Sequence, residues 1–430
     1  VGTDPLDGPG PGRYNPSVRL PDLVLARRAP ALLPVLLAAA ACSRESPHAP
    51  PPPPSPVPTP VAPAGPTSSG PVSTAPSAPT PPPAPAMPPE VVAGRTAFAK
   101  YCALCHGPAA RGYAADNAPS LVNPTFLATV EDSFLMASIK EGRPGTAMAG
   151  YARDLGGPLD DTQIQQVIAF LRWQGPARQE LPVVAASGDR GRGRTVYDQH
   201  CAKCHGTPGK RGEYLHLAQS ILLRNVTDAF LRHAIAVGRP GTPMVAWAGT
   251  LTAAQIEDVV ALLRSWEGVK PPPPLPKLTT PTGKEPVVLH PKGKAPAWKL
   301  RDARFVAADD VVKAYRQKRR MVLLDARPAS DWMRMHIPGA VSVPHYDLSR
   351  LDDVPKDGTW VVAYCACPHH ASGEVVDELR RRGYKNTAVL DEGILVWQQR
   401  GYPITSSPVA PAGLKPDPHA GHDHSGHGHP

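Results

Sequence analysis

The sequence predicts a modular protein: two small helical units in tandem, then an α/β unit, joined by proline-rich segments. Three observations predict it. The 17-residue blocks Asp132 to Met148 and Asp228 to Met244 align without a gap. Each is followed by apolar residues at helical spacing. Beyond about Arg301 the pattern changes to short apolar runs alternating with helical stretches.

Between these units proline dominates. It supplies 57 of the 430 residues, against a norm of roughly 5%. Twenty prolines fall in the 43 residues from Pro47 to Pro89, a stretch that cannot bury a core. Aromatic residues are 6%, so the folded parts are small. No apolar run reaches the length of about 18 residues expected of an ordinary membrane-spanning helix. The net charge is +9, and +5 of it lies in residues 269–300, which hold six lysines and one glutamate. The three folded segments carry −1, +3 and +2. No basic face argues for nucleic acid.

The N-terminus reads as an export signal. Arg27 and Arg28 precede the apolar stretch Ala31 to Ala41, which stops at Cys42. A basic start, a short apolar centre and small residues before the end describe a secretory signal, too short to span a bilayer. The residues before Leu23 fit no signal pattern, so the start is expected further downstream. Ala39-Ala40-Ala41-Cys42 resembles a bacterial lipobox, with Ala39 where that family prefers leucine. The resemblance implies lipidation of Cys42 and anchoring on the periplasmic side of a bacterial membrane. The alternative is a plain cleaved signal with an incidental cysteine. Residues 1–42 are therefore expected as signal and lipobox. Residues 43–89 are expected as a disordered tether, partly in polyproline II.

The tandem units carry the chemistry. Cys102-Ala103-Leu104-Cys105-His106 and Cys201-Ala202-Lys203-Cys204-His205 are both C-x-x-C-H, the attachment pattern of c-type haem. On a helix, residues three and four apart share a face. Cys102 with Cys105, and Cys201 with Cys204, can thus each reach the two vinyl groups of one haem. His106 and His205 then lie against iron as proximal ligands. A lone C-x-x-C could be a thiol redox pair or half a zinc site; the following histidine, the duplication and the export signal argue for two haems.

The repeat also selects the sixth ligand. DSFLMASIKEGRPGTAM and DAFLRHAIAVGRPGTPM keep Met148 and Met244 in register. Met136 faces Arg232 in the alignment, and His233 faces Ala137, so neither rival is kept in both copies. The alternative for Met148 and Met244 is core packing. Thioether ligation favours reduced iron.

Each unit closes with an amphipathic helix. Thr252-Ala253-Ala254-Gln255 is a capping box, followed by Ile256, Val259, Val260 and Leu263 on one face. Ile164, Val167, Ile168 and Leu171 repeat the stripe behind Asp160 and Asp161. Helices are also expected before each haem motif, at Gly94 to Tyr101 and Arg194 to His200. With these features, residues 90–175 and 188–268 resemble two class I cytochrome c domains. The resemblance implies small all-α folds around a haem, with methionine opposite histidine and one haem edge exposed. Iron with both axial positions filled transfers electrons and binds no substrate; catalysis at the haems is the minor alternative.

Residues 269–300 read as a Pro/Lys-rich linker. After it, Met321 to Asp325 reads as a strand running into Asp325-Ala326-Arg327. His336-Ile337-Pro338-Gly339-Ala340 follows, then a strand at Trp360 to Tyr364 with Cys365 at its end. A helix bearing Val375, Val376 and Leu379 and a last strand near Ala388 to Leu390 complete the unit. These features, over residues 301–404, resemble the rhodanese family. The resemblance implies a parallel α/β sheet and puts Cys365 in the place of the persulfide-carrying nucleophile. Independently, a thiol between a strand and a helix N-terminus meets backbone N–H groups that favour the thiolate.

The loop Cys365-Ala366-Cys367-Pro368-His369-His370-Ala371-Ser372 departs from the family pattern C-x-x-G-x-R-S. The glycine and arginine are missing and the serine comes one place late. Three readings stay open. Cys365 serves a sulfurtransferase fed by a sulfane-sulfur donor, with Cys367 resolving. Cys365, Cys367, His369 and His370 bind copper or zinc. Or the domain is a silent docking module. The tail, residues 405–430, is read as disordered, with His419, His422, His424, His427 and His429 able to bind metal.

Together these readings describe an exported dihaem c-type cytochrome that relays electrons. The expected partners are a cytochrome, a cupredoxin, or a membrane oxidase or reductase, with a sulfur-handling domain attached.

Overall fold

The computed structural model describes residues 86–268, 277–366 and 369–409. The expected signal, the tether up to residue 85, Cys42, the proline run 269–276, Cys367 and the histidine-rich tail from 410 lie outside the described residues. Among the described residues no helix is long and apolar enough to cross a membrane.

The first unit is built from α1 (Pro89–Tyr101), α2 (Ala103–His106), α3 (Pro124–Leu127), α4 (Asp132–Glu141) and α5 (Asp161–Trp173). The second begins with α6 (Arg190–His200) and α7 (Ala202–His205). A small hairpin follows, β1 (Gly206–Thr207) and β2 (Lys210–Arg211). It ends with α8 (Ser220–Asn225), α9 (Asp228–Val237) and α10 (Ala253–Ser265).

Both leading helices start about a turn earlier than expected. Pro89 opens α1, where its fixed φ suits the first helical position. Asp189 caps α6 by accepting from Arg192 N at 2.7 Å. Both closing helices carry a full capping box, Asp160 with Gln163 and Thr252 with Gln255.

Within each unit the first helix packs on the last, α1 on α5 and α6 on α10. Both crossings are made at a glycine. A Cβ on Gly94 would collide with the Gln166 carbonyl, and one on Gly193 with that of Asp258. A conserved-geometry arginine then locks each closing helix. Arg172 donates to Leu127 O (2.5 Å), Val130 O (2.6 Å) and Asp132 Oδ1 (2.7 Å). Arg264 makes the equivalent bonds to Leu223 O, Val226 O and Asp228.

The two units meet as a pseudo-two-fold pair. Helix α3 packs on α9 and its counterpart α8 packs on α4. Asn123 Nδ2 donates to Pro240 O at 2.9 Å, and its counterpart Gln219 Nε2 to Pro144 O at 3.4 Å. Phe134 and Phe230, equivalent in the repeat, face each other with centroids 6.4 Å apart. Equivalent surfaces exchanging equivalent contacts are the mark of an isologous interface, here made within one chain.

The α/β unit comprises β3 (Phe305–Val306), α11 (Ala308–Arg316), β4 (Met321–Asp325), α12 (Ala329–Arg334) and β5 (Val341–Ser342). It continues with β6 (Trp360–Tyr364), α13 (Ala371–Arg381), β7 (Thr387–Leu390) and α14 (Gly393–Gln399). The strand order is β3-β7-β6-β4-β5, and every pair is parallel. Strand β4 is buried throughout, as expected of a continuous apolar run in a covered parallel sheet.

Residues 277–300 do not stand away from this unit. Leu289 bridges to Met321, Leu278 bridges to Val409, and Arg350 Nη1 donates to Glu285 Oε2 at 2.7 Å. Val287 and Val288 pack on the core beside them. The lysine count gave this segment its linker character, while its apolar residues decide where it lies.

Candidate functional site

In both helical units the C-x-x-C-H stretch turns sharply at the end of the first helix. Cys102 and Cys201 cap α1 and α6, and the short helices α2 and α7 carry the second cysteine and the histidine. His106 Nδ1 lies 3.0 Å from Pro119 O, and His205 Nδ1 lies 2.7 Å from Leu215 O. A carbonyl only accepts, so each Nδ1 carries the proton and donates. Each Nε2 is left with its lone pair for a metal. Burial pushes both imidazoles below their ordinary pKa, against the opposing carbonyl bond, which keeps them neutral and ligating. Burial likewise raises the thiols, Cys102 to about 12 and Cys105 and Cys201 to about 11.

Each methionine is presented by a closed turn of identical design. Arg143 N donates to Met148 O at 2.7 Å, as Arg239 N does to Met244 O. Thr146 Oγ1 donates to Arg143 O at 2.7 Å and accepts from Met148 N at 3.1 Å. Thr242 does the same at 2.7 and 3.2 Å. Gly145 and Gly241 take φ of 78° and 77°, which a side chain would resist.

All eight residues, Cys102, Cys105, His106, Met148, Cys201, Cys204, His205 and Met244, line one continuous cavity. The space between them, open in part to solvent, amounts to about 2440 Å³. The wall is otherwise mainly apolar, with Phe98, Phe126, Phe134 and Phe230 among its residues.

Three arginines break that wall, and one of them, Arg211, is paired with Asp116. The other two, Arg143 and Arg239, have no carboxylate partner among the described residues. Arg143 Nη1 is buried without a hydrogen-bond partner among the described residues, its guanidinium 5.6 Å from the Phe134 ring centre. Among the described residues Arg239 Nη1 donates to Thr125 Oγ1 and Gly238 O, both at 3.2 Å. Burial pushes both down to about 10. A buried cation without counter-charge is costly. The two carboxylates of a haem would supply that charge. Thiols, neutral imidazoles, thioethers and cations in one apolar cavity therefore fit c-type haem.

In the α/β unit, Cys365 ends β6 at the C-terminal edge of the sheet, before α13. It is 3% exposed, with Sγ 3.2 Å from Ser372 Oγ. His369 Nε2 donates to Asp391, with Oδ1 at 3.0 Å. Asp325 and Arg327 form a buried pair at 2.6 Å, and Arg327 also donates to Met335 O, closing the loop after β4. Among the described residues no cluster of three or more His, Cys, Asp or Glu side chains stands ready for a metal ion.

The family model for cytochrome c oxidase cbb3-type subunit III matches residues 89–171 and again residues 188–263. The rhodanese-like domain model matches residues 308–400. The chain carries two cytochrome c domains and a rhodanese-like domain. The CcoP subunit of the cbb3-type oxidase of Azospirillum sp. (strain B510) is 29% identical over 195 residues, covering 41% of this chain and 62% of that protein. The FixP subunit of Bradyrhizobium sp. (strain ORS 278) is 29% identical over 188 residues, covering 41% and 61%. The chain thus spans about three-fifths of the length of these curated relatives. Among solved structures, the rhodanese-like domain of the Anabaena sp. Alr3790 protein is 23% identical. It covers 29% of this chain and 96% of its own, with a TM-score of 0.23.

Cytochrome c domains of this kind hold covalent haem c and transfer electrons. The rival ligands of the repeat stand apart from the cavity: Met136 lines a separate surface groove with Asp132 and Arg172. His233 is not among the residues lining the haem cavity. Sequence reasoning passed over Arg143, Arg239, His200 and His216, all of which line the cavity. The arginines could have been found, because both belong to the repeated block.

Proposed function

We propose that this protein is an exported dihaem cytochrome that relays electrons for a rhodanese-like sulfur-handling domain. One haem is held by Cys102 and Cys105 with His106 and Met148 on its iron. The other is held by Cys201 and Cys204 with His205 and Met244. Bound haem c supplies a one-electron couple. The protein shields it from water, fixes the imidazoles through their carbonyl bonds and balances its acidic edge with Arg143 and Arg239. The observation that carries this reading is the single cavity shared by two equivalent ligand sets across a pseudo-two-fold seam. A shared cavity favours rapid exchange between haems and makes the pair a two-electron store.

The external partner is a redox protein, either a cytochrome, a cupredoxin or a terminal oxidase. Similarity to oxidase subunits named CcoP and FixP favours the last. Export and a lipid anchor at Cys42 rest on the N-terminal pattern alone. The second function, sulfur transfer at Cys365, is favoured by its seat between β6 and α13 and by the Ser372 hydroxyl beside its sulfur. The missing arginine of the loop weakens binding of a dianionic donor such as thiosulfate.

A redox titration of the purified holoprotein, followed in the visible region, tests the relay. Two one-electron steps are expected, with a weak long-wavelength methionine–iron band that diminishes in Met148→Ala and again in Met244→Ala. A single step, or a band indifferent to both substitutions, rejects the ligand assignment.

A further inference from the structure

The rhodanese-like domain is seated against the first cytochrome unit. Ser330 Oγ donates to Gly150 O, and Arg334 Nη1 donates to Glu141 O at 3.2 Å. Gly156 lies so close to Met333 that a Cβ there would strike its sulfur. Ala147, next to Met148, packs on the core cluster that contains Cys365. The Tyr346 ring stands edge-on to Tyr101 with centroids 4.9 Å apart. Tyr101 immediately precedes Cys102 and lines the haem cavity. Cys365 lies within electrostatic reach of Cys105.

The same seam holds an unexplained polar group. Both ring nitrogens of His345 are buried with no hydrogen-bond partner among the described residues, and its ring lies 5.1 Å from that of Tyr346. His345 N donates to Ala326 O, and Ala326 N to Tyr364 O, the residue before Cys365. His345 follows β5 and Cys365 follows β6 at the same edge of the parallel sheet, with β4 between them. A polar ring there without a protein partner among the described residues can receive a small polar ligand. The loop from Cys365 to Ser372 contains no lysine or arginine, so a small monoanion suits it better than a dianion.

Resting on the relay function above, we propose that this seam binds hydrosulfide and passes its electrons to the haem pair through the first cytochrome unit. The Cys365 thiolate and hydrosulfide form one S–S bond. Hydrosulfide gives up its proton to water, leaving the Cys365 persulfide. Two electrons leave the sulfur atoms, one to each of two ferric c-type haems. Sulfur is oxidised, both irons are reduced, and the second unit becomes the exit towards the external partner.

The test uses the oxidised full-length holoprotein and sodium sulfide under anaerobic conditions. Haem reduction is followed in the visible region, and sulfur on Cys365 is measured by mass spectrometry after alkylation. The expected result is reduction of both haems with one sulfur added at Cys365. Cys365→Ser removes the added sulfur and slows reduction by about tenfold or more. Tyr346→Leu slows it too, while reduction by ascorbate is unchanged in all three proteins. Equal sulfide-driven rates in wild type and Cys365→Ser, or no sulfur on Cys365, overturn the proposal and leave the relay standing. Failure of ascorbate to reduce the haems of the wild type would instead strike the relay.

Discussion

Replacing Arg143 by glutamine should lower the potential of one haem and leave the other close to its starting value. The buried guanidinium disfavours ferric iron, which carries one more positive charge than ferrous iron. Its charge already contributes to depressing the His106 imidazole, after burial. At a separation on the order of 10 Å and an effective dielectric of about 20, a unit charge is worth about 1.7 kcal/mol. For a one-electron couple that is roughly 70 mV. Redox titrations of wild type, Arg143→Gln and Arg239→Gln should show a downward shift of this order, in a different haem for each variant. Arg143→Lys keeps the charge and should recover most of the loss. If both potentials stay in place in both glutamine variants, or move upward, the arginines do not face the haems as reasoned.

Two further outcomes test the packing. Gly193→Ala and Gly191→Ala both replace a glycine of α6, and both gain up to about 1 kcal/mol of helix propensity. Only at Gly193 does the new Cβ meet backbone of α10; at Gly191 the nearest atom is Asp189 Oδ1, 3.1 Å away on a side chain that can move. Gly193→Ala should therefore lose about 2 kcal/mol net, lowering the thermal midpoint by about 10 °C, and Gly191→Ala should be neutral or stabilising. Asp258, buried at the same crossing, is held below the ordinary carboxylate range, first by Arg192 and also by Asp189 N. Its contribution is present above the unfolded carboxylate value of about 3.9 and is lost as pH falls through the lower folded value. Midpoints measured between about pH 6 and 3 should fall in wild type more than in Asp258→Asn.

Much of this architecture is legible in the sequence because it is written twice. One C-x-x-C could belong to several chemistries, but the histidine that follows it and its recurrence with an aligned methionine leave few. The capping box at Thr252 is a local rule and was readable as such, while the matching box of Asp160 with Gln163 emerged only in the structure. So were strands β4 and β6, whose apolar runs are long enough to require burial on both faces. What stayed hidden depends on contacts between units. The pairing of α3 with α9 and of α4 with α8 uses small polar contacts from Asn123 and Gln219, which carry no periodic signal. Arg143 and Arg239 look like surface residues until the cavity around them is seen. Residues 277–300 were masked by their lysines, although Leu289 pairs with Met321 at the start of β4. The seat of the rhodanese-like domain on the first cytochrome unit is set by Gly156, Ser330 and Tyr346, each ordinary in its own stretch of sequence.

Covalent haem at both pentapeptides is the claim on which the relay depends. Its most direct test is the intact mass of the full chain, matured in a haem-competent host and measured after denaturation. The mass should exceed that of the polypeptide by two haems, and Cys102→Ser with Cys105→Ser should remove one of them. A denatured chain that carries no haem, or keeps two when Cys102 and Cys105 are both replaced, contradicts the account.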